Sequence, residues 1–197
     1  MSEASAEPKT KPSLRLVRPV VLIGLMGAGK SSVGVRLADA LGAPFKDSDA
    51  EIERAANLTV PEIFGRYGES DFRDGERKVI ARLLSGAPLV LATGGGAFMN
   101  AETRAVIAER AVSVWLKADL DVLVSRTAGR NHRPLLNNGD PRKILGQLID
   151  ERYPVYGRAD IRVTSRQGQS HDHMAKRIVA ALKKHAAKTG RGAVEWT

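Results

Sequence analysis

The chain has 197 residues, 43% of them hydrophobic, a formal net charge of +9 and no cysteine. That length suffices for one domain with a full core, the lack of cysteine excludes disulfide and thiolate chemistry, and no apolar run approaches the ~20 residues of a membrane helix. The charge raises nucleic acid as a partner, but the basic residues are dispersed, with several near the two ends (Lys9, Lys11, Arg15, Arg18; Lys183, Lys184, Lys188, Arg191), and aromatics are only 5%. There is no aromatic–basic interleaving of the kind that stacks bases. A small anionic ligand accounts for internal arginines equally well, so the expectation is a cytoplasmic monomer with no nucleic-acid and no membrane partner.

Residues 1–18 lack the long apolar core of a secretory signal and read as a disordered leader. Candidate strands follow at 19–23, 44–46, 88–92, 111–116 and 160–164. Helical patterns lie between and after them at 30–41, 49–57, 60–67, 70–85, 101–108, 120–127, 141–158 and 171–188. Strand–helix alternation predicts a parallel sheet with helices on both faces. The runs VVLI and LVLA are apolar throughout, as a buried parallel sheet requires. No internal repeat or linker divides the chain, which reads as a single domain over 19–188. The segment 129–140, GRNHRPLLNNGD, reads as a mobile loop, and 189–197 as a frayed tail.

Directly after the first strand, Gly24, Gly29, Lys30 and Ser31 fill the pattern G-x-x-x-x-G-K-[ST]. The glycines allow backbone conformations closed to other residues, so that loop amides, Gly27, Ala28 and Gly29 among them, converge on phosphate oxygens at the positive end of the following helix. Lys30 reaches the β- and γ-phosphates and the Ser31 hydroxyl coordinates Mg2+. Ser32 extends the helix start and also serves as an ordinary first-turn polar residue. The donor is thus an NTP with Mg2+, but switch GTPases, motor ATPases and small-molecule kinases share this cradle.

The second strand ends in FKDSDAEIE. Strand alternation turns Asp47 and Asp49 to the same side, at the carboxyl edge where ligands gather in an open sheet. One carboxylate can hold a metal-bound water, the other can orient an acceptor hydroxyl. The competing role is helix capping by Ser48 or Asp49. In ESDFRDGERKVI, Arg73 stands three residues before Glu76, a helical neighbour able to orient it toward a carboxylate. From spacing alone a solvated ion pair is the default. Gly94, Gly95 and Gly96 follow the third strand, where three glycines let a backbone approach a ligand closely. Arg126, Arg130 and Arg133 lie in or beside the 129–140 loop. An arginine carried by a closing lid stabilises a phosphoryl transition state, the alternative being a basic surface loop. Arg152, in DERYPVYGR, is by itself an ordinary surface arginine.

Taken in order, GLMGAGKS, DSD, DFR, GGG, RPLL and RYPVY resemble the shikimate kinase family, over about residues 20–182. The resemblance implies a P-loop three-layer α/β/α fold like that of nucleoside monophosphate kinases, with a five-stranded parallel sheet in the order 2-3-1-4-5 and a lid at about 128–140. It also implies ATP- and Mg2+-dependent phosphorylation of the 3-hydroxyl of shikimate, on the route to chorismate. By this resemblance Ser31 is the Mg2+ ligand and Asp47 reaches the metal through water. Asp49 binds the shikimate hydroxyls near the reacting oxygen, Arg73 and Arg152 bind its carboxylate, and Gly95, within the triplet Gly94–Gly96, gives a backbone contact. Arg133 touches the phosphates and Arg126 stacks on adenine, while Lys30, Asp49 and Arg133 carry the catalysis. Ser32 stands where the family usually has threonine, the adenine loop at 165–169 matches poorly, and the basic leader is not part of the family pattern. The rivals are another small-molecule kinase, acting on gluconate or a nucleotide, a regulatory ATP-binding module, and a GTPase switch, against which the absence of an NKxD motif counts.

Overall fold

A computed structural model describes residues 14–128 and 139–196. Five parallel strands form the central sheet: β2 (Val20–Ile23), β3 (Phe45–Asp47), β4 (Val90–Ala92), β5 (Val112–Ala118) and β6 (Ile161–Ser165). Their order is β3-β4-β2-β5-β6. Numbered among themselves they run 2-3-1-4-5, as expected; the labels shift by one because another strand, β1 (Leu14–Leu16), precedes them. Every residue of β2 is at most 1% exposed, which follows from its central place between β4 and β5 and from the cover of helices around the sheet.

Those helices are α1 (Lys30–Ala40), α2 (Ser48–Ala56), α3 (Val60–Leu84), α4 (Ala101–Arg110), α5 (Leu120–Thr127), α6 (Pro141–Tyr156) and α7 (His171–Thr189). The main core joins the strands to Leu37 of α1, Ile80 of α3, Ile107 of α4, Leu123 of α5, Leu145 of α6 and Ile178 of α7. A separate small core of Ile52, Ile63 and Phe72 ties α2 to α3. The two helical patterns at 60–67 and 70–85 are one element, α3, broken by non-helical Gly68 (φ 80, ψ 177). Its start is fixed by a capping box in which Thr59 and Glu62 satisfy each other's backbone amides.

Two expectations about the ends are corrected. Residues 14–16, assigned to the leader, and 194–196, assigned to the frayed tail, pair as an antiparallel two-stranded sheet, β1 with β7 (Val194–Trp196). The reason is burial: Leu16 and Val194 both enter the main core, and Val17 N–H donates to the Ala193 carbonyl at 2.8 Å. Short range reading misses this because three-residue strands carry almost no periodicity. Among the described residues, no helix is long and apolar enough to cross a membrane.

Candidate active site

The loop after β2 enters α1 through Gly29, which holds a left-handed conformation (φ 96, ψ 17) and gives no side-chain cap. The first-turn amides of α1 are therefore not claimed by a capping side chain, as a phosphate cradle requires. Lys30 Nζ folds back on the loop and donates to the carbonyls of Gly24 (2.8 Å) and Leu25 (3.1 Å). Ser31 Oγ donates to Asp47 Oδ2 at 2.9 Å, so hydroxyl and carboxylate stand together at the mouth of the cradle. That pair suits Mg2+, which prefers one or two protein oxygens plus phosphates and water to an all-protein cage.

The cradle opens into a cleft of about 450 Å3 lined by Gly27, Lys30, Ser31, Ser32, Arg126 and, from the chain after β6, Gly168, Gln169 and His171. Arg126 crosses from α5 to donate to Ser165 Oγ (2.8 Å) and the Arg166 carbonyl (3.1 Å). Its guanidinium thereby joins the phosphate loop to the β6–α7 connection. Gly168, Gln169 and His171 were not identified in the sequence, where the adenine loop matched poorly; only the β6–α7 turn brings them to the cleft.

A second group of polar side chains gathers around Asp49, whose carboxyl feels the charge of Lys30. Here Asp49 departs from the strand-alternation argument: β3 ends at Asp47, and Asp49 is the second residue of α2. Capping and function coexist, because the cap is neither Ser48 nor Asp49 but Asp47, whose Oδ1 accepts from Asp49 N–H at 3.1 Å while Oδ2 serves Ser31. Buried Ser48 accepts from Gly94 N–H at 3.1 Å and so fastens the glycine triplet to α2.

The triplet is the floor on which these side chains meet. A Cβ on Gly94 would lie 2.7 Å from Asp49 Oδ1 and 3.1 Å from Glu76 Oε1. On Gly95 it would lie 3.2 Å from Arg152 Nη1, and on Gly96 2.3 Å from Arg73 Nη2. Three consecutive residues without side chains thus let Asp49, Arg152 and Arg73 converge. Arg73 is held by Glu76 at 2.7 Å and by Glu69 at 3.3 Å, and its guanidinium lies over the Phe72 ring. The solvated ion pair read from spacing is corrected: Glu76 is 1% exposed, so a buried carboxylate holds a half-buried Arg73 against the glycine triplet.

Burial, with the neighbouring charge of Asp47, holds the Asp49 carboxyl above its ordinary value, against the opposing pull of Lys30. Glu76 is likewise raised, chiefly by burial, with Arg73 pulling it down and Asp49 adding to the rise. Burial lowers Arg73, but its bonds to Glu76 and Glu69 outweigh that and leave it raised. Two buried polar atoms in this group, Glu76 Oε1 and Arg152 Nε, have no hydrogen-bond partner in the protein. Arg133 and Arg130 lie outside the described residues.

The phosphate cradle, with Asp49, Arg73 and Arg152 gathered over three glycines beside it on a 2-3-1-4-5 sheet, defines a P-loop kinase for a small acceptor. Residues 26–183 match the family model described as shikimate kinase, and the chain belongs to that family. It is 60% identical to a shikimate kinase of Paramagnetospirillum magneticum over 77% of this chain and 77% of that one. To a shikimate kinase of Bradyrhizobium diazoefficiens it is 50% identical over 94% and 91%. Among solved structures, a shikimate kinase from Acinetobacter baumannii in complex with shikimate superposes with a TM-score of 0.81 at 38% identity, covering 85% of this chain and 94% of that chain.

Proposed function

We propose that this cleft carries out the reaction of its family as follows. The enzyme transfers the γ-phosphoryl group of ATP to the 3-hydroxyl of shikimate, giving shikimate 3-phosphate in the route to aromatic amino acids. ATP phosphates lie on the amides of Gly27, Ala28 and Gly29 with Lys30 and Ser32, and the base lies toward Arg126. Shikimate lies over Gly94–Gly96, its carboxylate between Arg73 and Arg152 and its hydroxyls at Asp49. The acceptor oxygen attacks the γ-phosphorus, the bond to the β–γ bridging oxygen breaks, and Asp49 takes the hydroxyl proton. Because the transition state is loose, orientation by Asp49 matters more than its basicity. Mg2+, held by Ser31 directly and by Asp47 through water, would neutralise charge on the phosphates. Arg133, by resemblance, adds a guanidinium at the same oxygens, and Arg133→Ala is expected to lower kcat.

The reading rests on one observation: a carboxylate and two guanidiniums meet over three glycines, where two buried polar atoms lack protein partners. A hydroxylated carboxylic acid satisfies that set; a neutral sugar offers no carboxylate to either arginine and leaves the buried Arg152 Nε unsatisfied. The test is ADP release from ATP and Mg2+ with shikimate, gluconate or a nucleoside monophosphate as acceptor. Turnover with shikimate alone is expected, and equal or greater turnover with gluconate would overturn the acceptor assignment. The same purified protein is expected to be monomeric by sedimentation, to require Mg2+, to act in the cytoplasm, and to show no salt-sensitive polynucleotide binding.

A further inference from the structure

Arg152 is the least anchored of the substrate-facing groups. It is 13% exposed, its nearest carboxylate, Glu151, is 4.0 Å from Nε, and Nε has no hydrogen-bond partner. Arg73, by contrast, is pinned by two glutamates. A guanidinium that binds a carboxylate bidentately must be held in its plane, so something other than an ion pair has to hold this one.

One turn on along α6 is Tyr156, fully buried. Its hydroxyl donates to the Gly95 carbonyl, the middle residue of the glycine floor. The Arg152 guanidinium stands close by, and its charge opposes the effect of burial, which pushes the phenol up to about 12. The phenol therefore stays protonated and can donate to Gly95 while accepting from Arg152. Its ring is fixed in an aromatic cluster, 6.1 Å from Trp115, 6.2 Å from Tyr153 and 6.4 Å from Phe98, centroid to centroid. Arg152 Nη1 and the Tyr156 hydroxyl both approach Gly95, within 3.2 and 3.8 Å of where its Cβ would stand.

We propose that Tyr156 is a positioning residue for the substrate carboxylate: its hydroxyl links the Arg152 guanidinium to the Gly95 carbonyl and sets both in register. The proposal rests on the reading of Arg152 as a carboxylate binder. Tyr156 touches no reacting atom, so its loss acts on acceptor binding rather than on phosphoryl transfer.

Tyr153 supplies an internal control. It too is a phenol on α6 that donates to a backbone carbonyl, that of Ala118, and packs on Trp115, but it has no part at the glycine floor. The experiment measures kcat and KM for shikimate, for shikimate methyl ester and for ATP in wild type, Tyr156→Phe, Tyr153→Phe and Arg152→Ala. Tyr156→Phe is expected to raise KM for shikimate about tenfold, the scale of one hydrogen bond to a charged group, with kcat and the ATP KM within about twofold. With the ester, whose carboxylate charge is gone, kcat/KM changes little. Tyr153→Phe leaves the shikimate KM unchanged, and Tyr156→Phe adds no further rise in the Arg152→Ala background. An unchanged shikimate KM in Tyr156→Phe while Arg152→Ala raises it sharply overturns the proposal alone. So does an equal loss with shikimate and ester, or an equal loss in Tyr153→Phe, each of which marks a general structural effect. An unchanged KM in Arg152→Ala overturns the underlying assignment of Arg152 and this proposal with it.

Discussion

At Asp49, function and stability pull in opposite directions. In the proposed reaction the acceptor hydroxyl needs an ionised carboxylate, yet burial and Asp47 hold that carboxyl above its ordinary value of 3.8. A carboxyl raised in the folded state contributes stability fully below its unfolded value and loses it as pH rises through the folded one. The charged group therefore costs stability at neutral pH. Asp49→Asn is expected to lose most turnover while retaining ATP binding, and to unfold at higher denaturant than wild type at neutral pH. That gain should vanish below about pH 3.8, where both side chains are neutral. Equal midpoints at neutral pH would contradict the sign. In wild type, the acid limb of kcat/KM for shikimate should lie above the ordinary aspartate value. For the arginines, Arg73→Ala and Arg152→Ala should each raise KM for shikimate by roughly 10- to 100-fold, the scale of charge-assisted hydrogen bonds. Arg73→Ala should in addition destabilise the fold, because it strands the buried Glu76 carboxylate.

At the scale of elements, α3 does two jobs with one interruption. Its first part, opened by the Thr59–Glu62 capping box, packs Ile63 against Ile52 and Phe72 in the small core. Its second part carries Arg73 and Glu76 to the glycine floor. Gly68 joins them at φ 80, ψ 177, a region essentially reserved for glycine. No atom lies within 4 Å of where its Cβ would be, so a substitution meets backbone strain and nothing else. Gly68→Ala is expected to destabilise by about 1–3 kcal/mol and to raise the shikimate KM with the ATP KM unchanged. Denaturant unfolding and steady-state kinetics on one preparation check both; an unaltered midpoint would mean that the break does not demand glycine.

At the scale of the whole molecule, the site and the small β1–β7 sheet lie at opposite ends of the central sheet. The cradle, Asp49 and the glycine floor all follow strand carboxyl ends, whereas β1 leads into the amino end of β2 and pairs with β7. Leu16 is 5% exposed and belongs to the main core. Leu16→Ala is expected to cost about 2 kcal/mol or more with kcat and both KM values unchanged. A changed KM with either substrate would show that the terminal sheet communicates with the cleft.

What the sequence determined by itself was local: continuous apolar strands, helical periodicity, the glycine–lysine–serine cradle after β2, and the ordered motifs that resemble one family. These are legible because each is set by neighbours along the chain. The tertiary structure alone decided the rest. The end of β3 at Asp47, the burial of Glu76 and the entry of Gln169 and His171 into the nucleotide cleft depend on packing between distant elements. So does the bond from Tyr156 to a carbonyl 61 residues away. Arg73 and Arg152 each read alone as ordinary surface residues; three glycines after β4 make room for both beside Asp49, and no spacing along the chain encodes that meeting. Leu16 and Val194 are ordered for the same reason, since their apolar surface finds the core only once the sheet has formed.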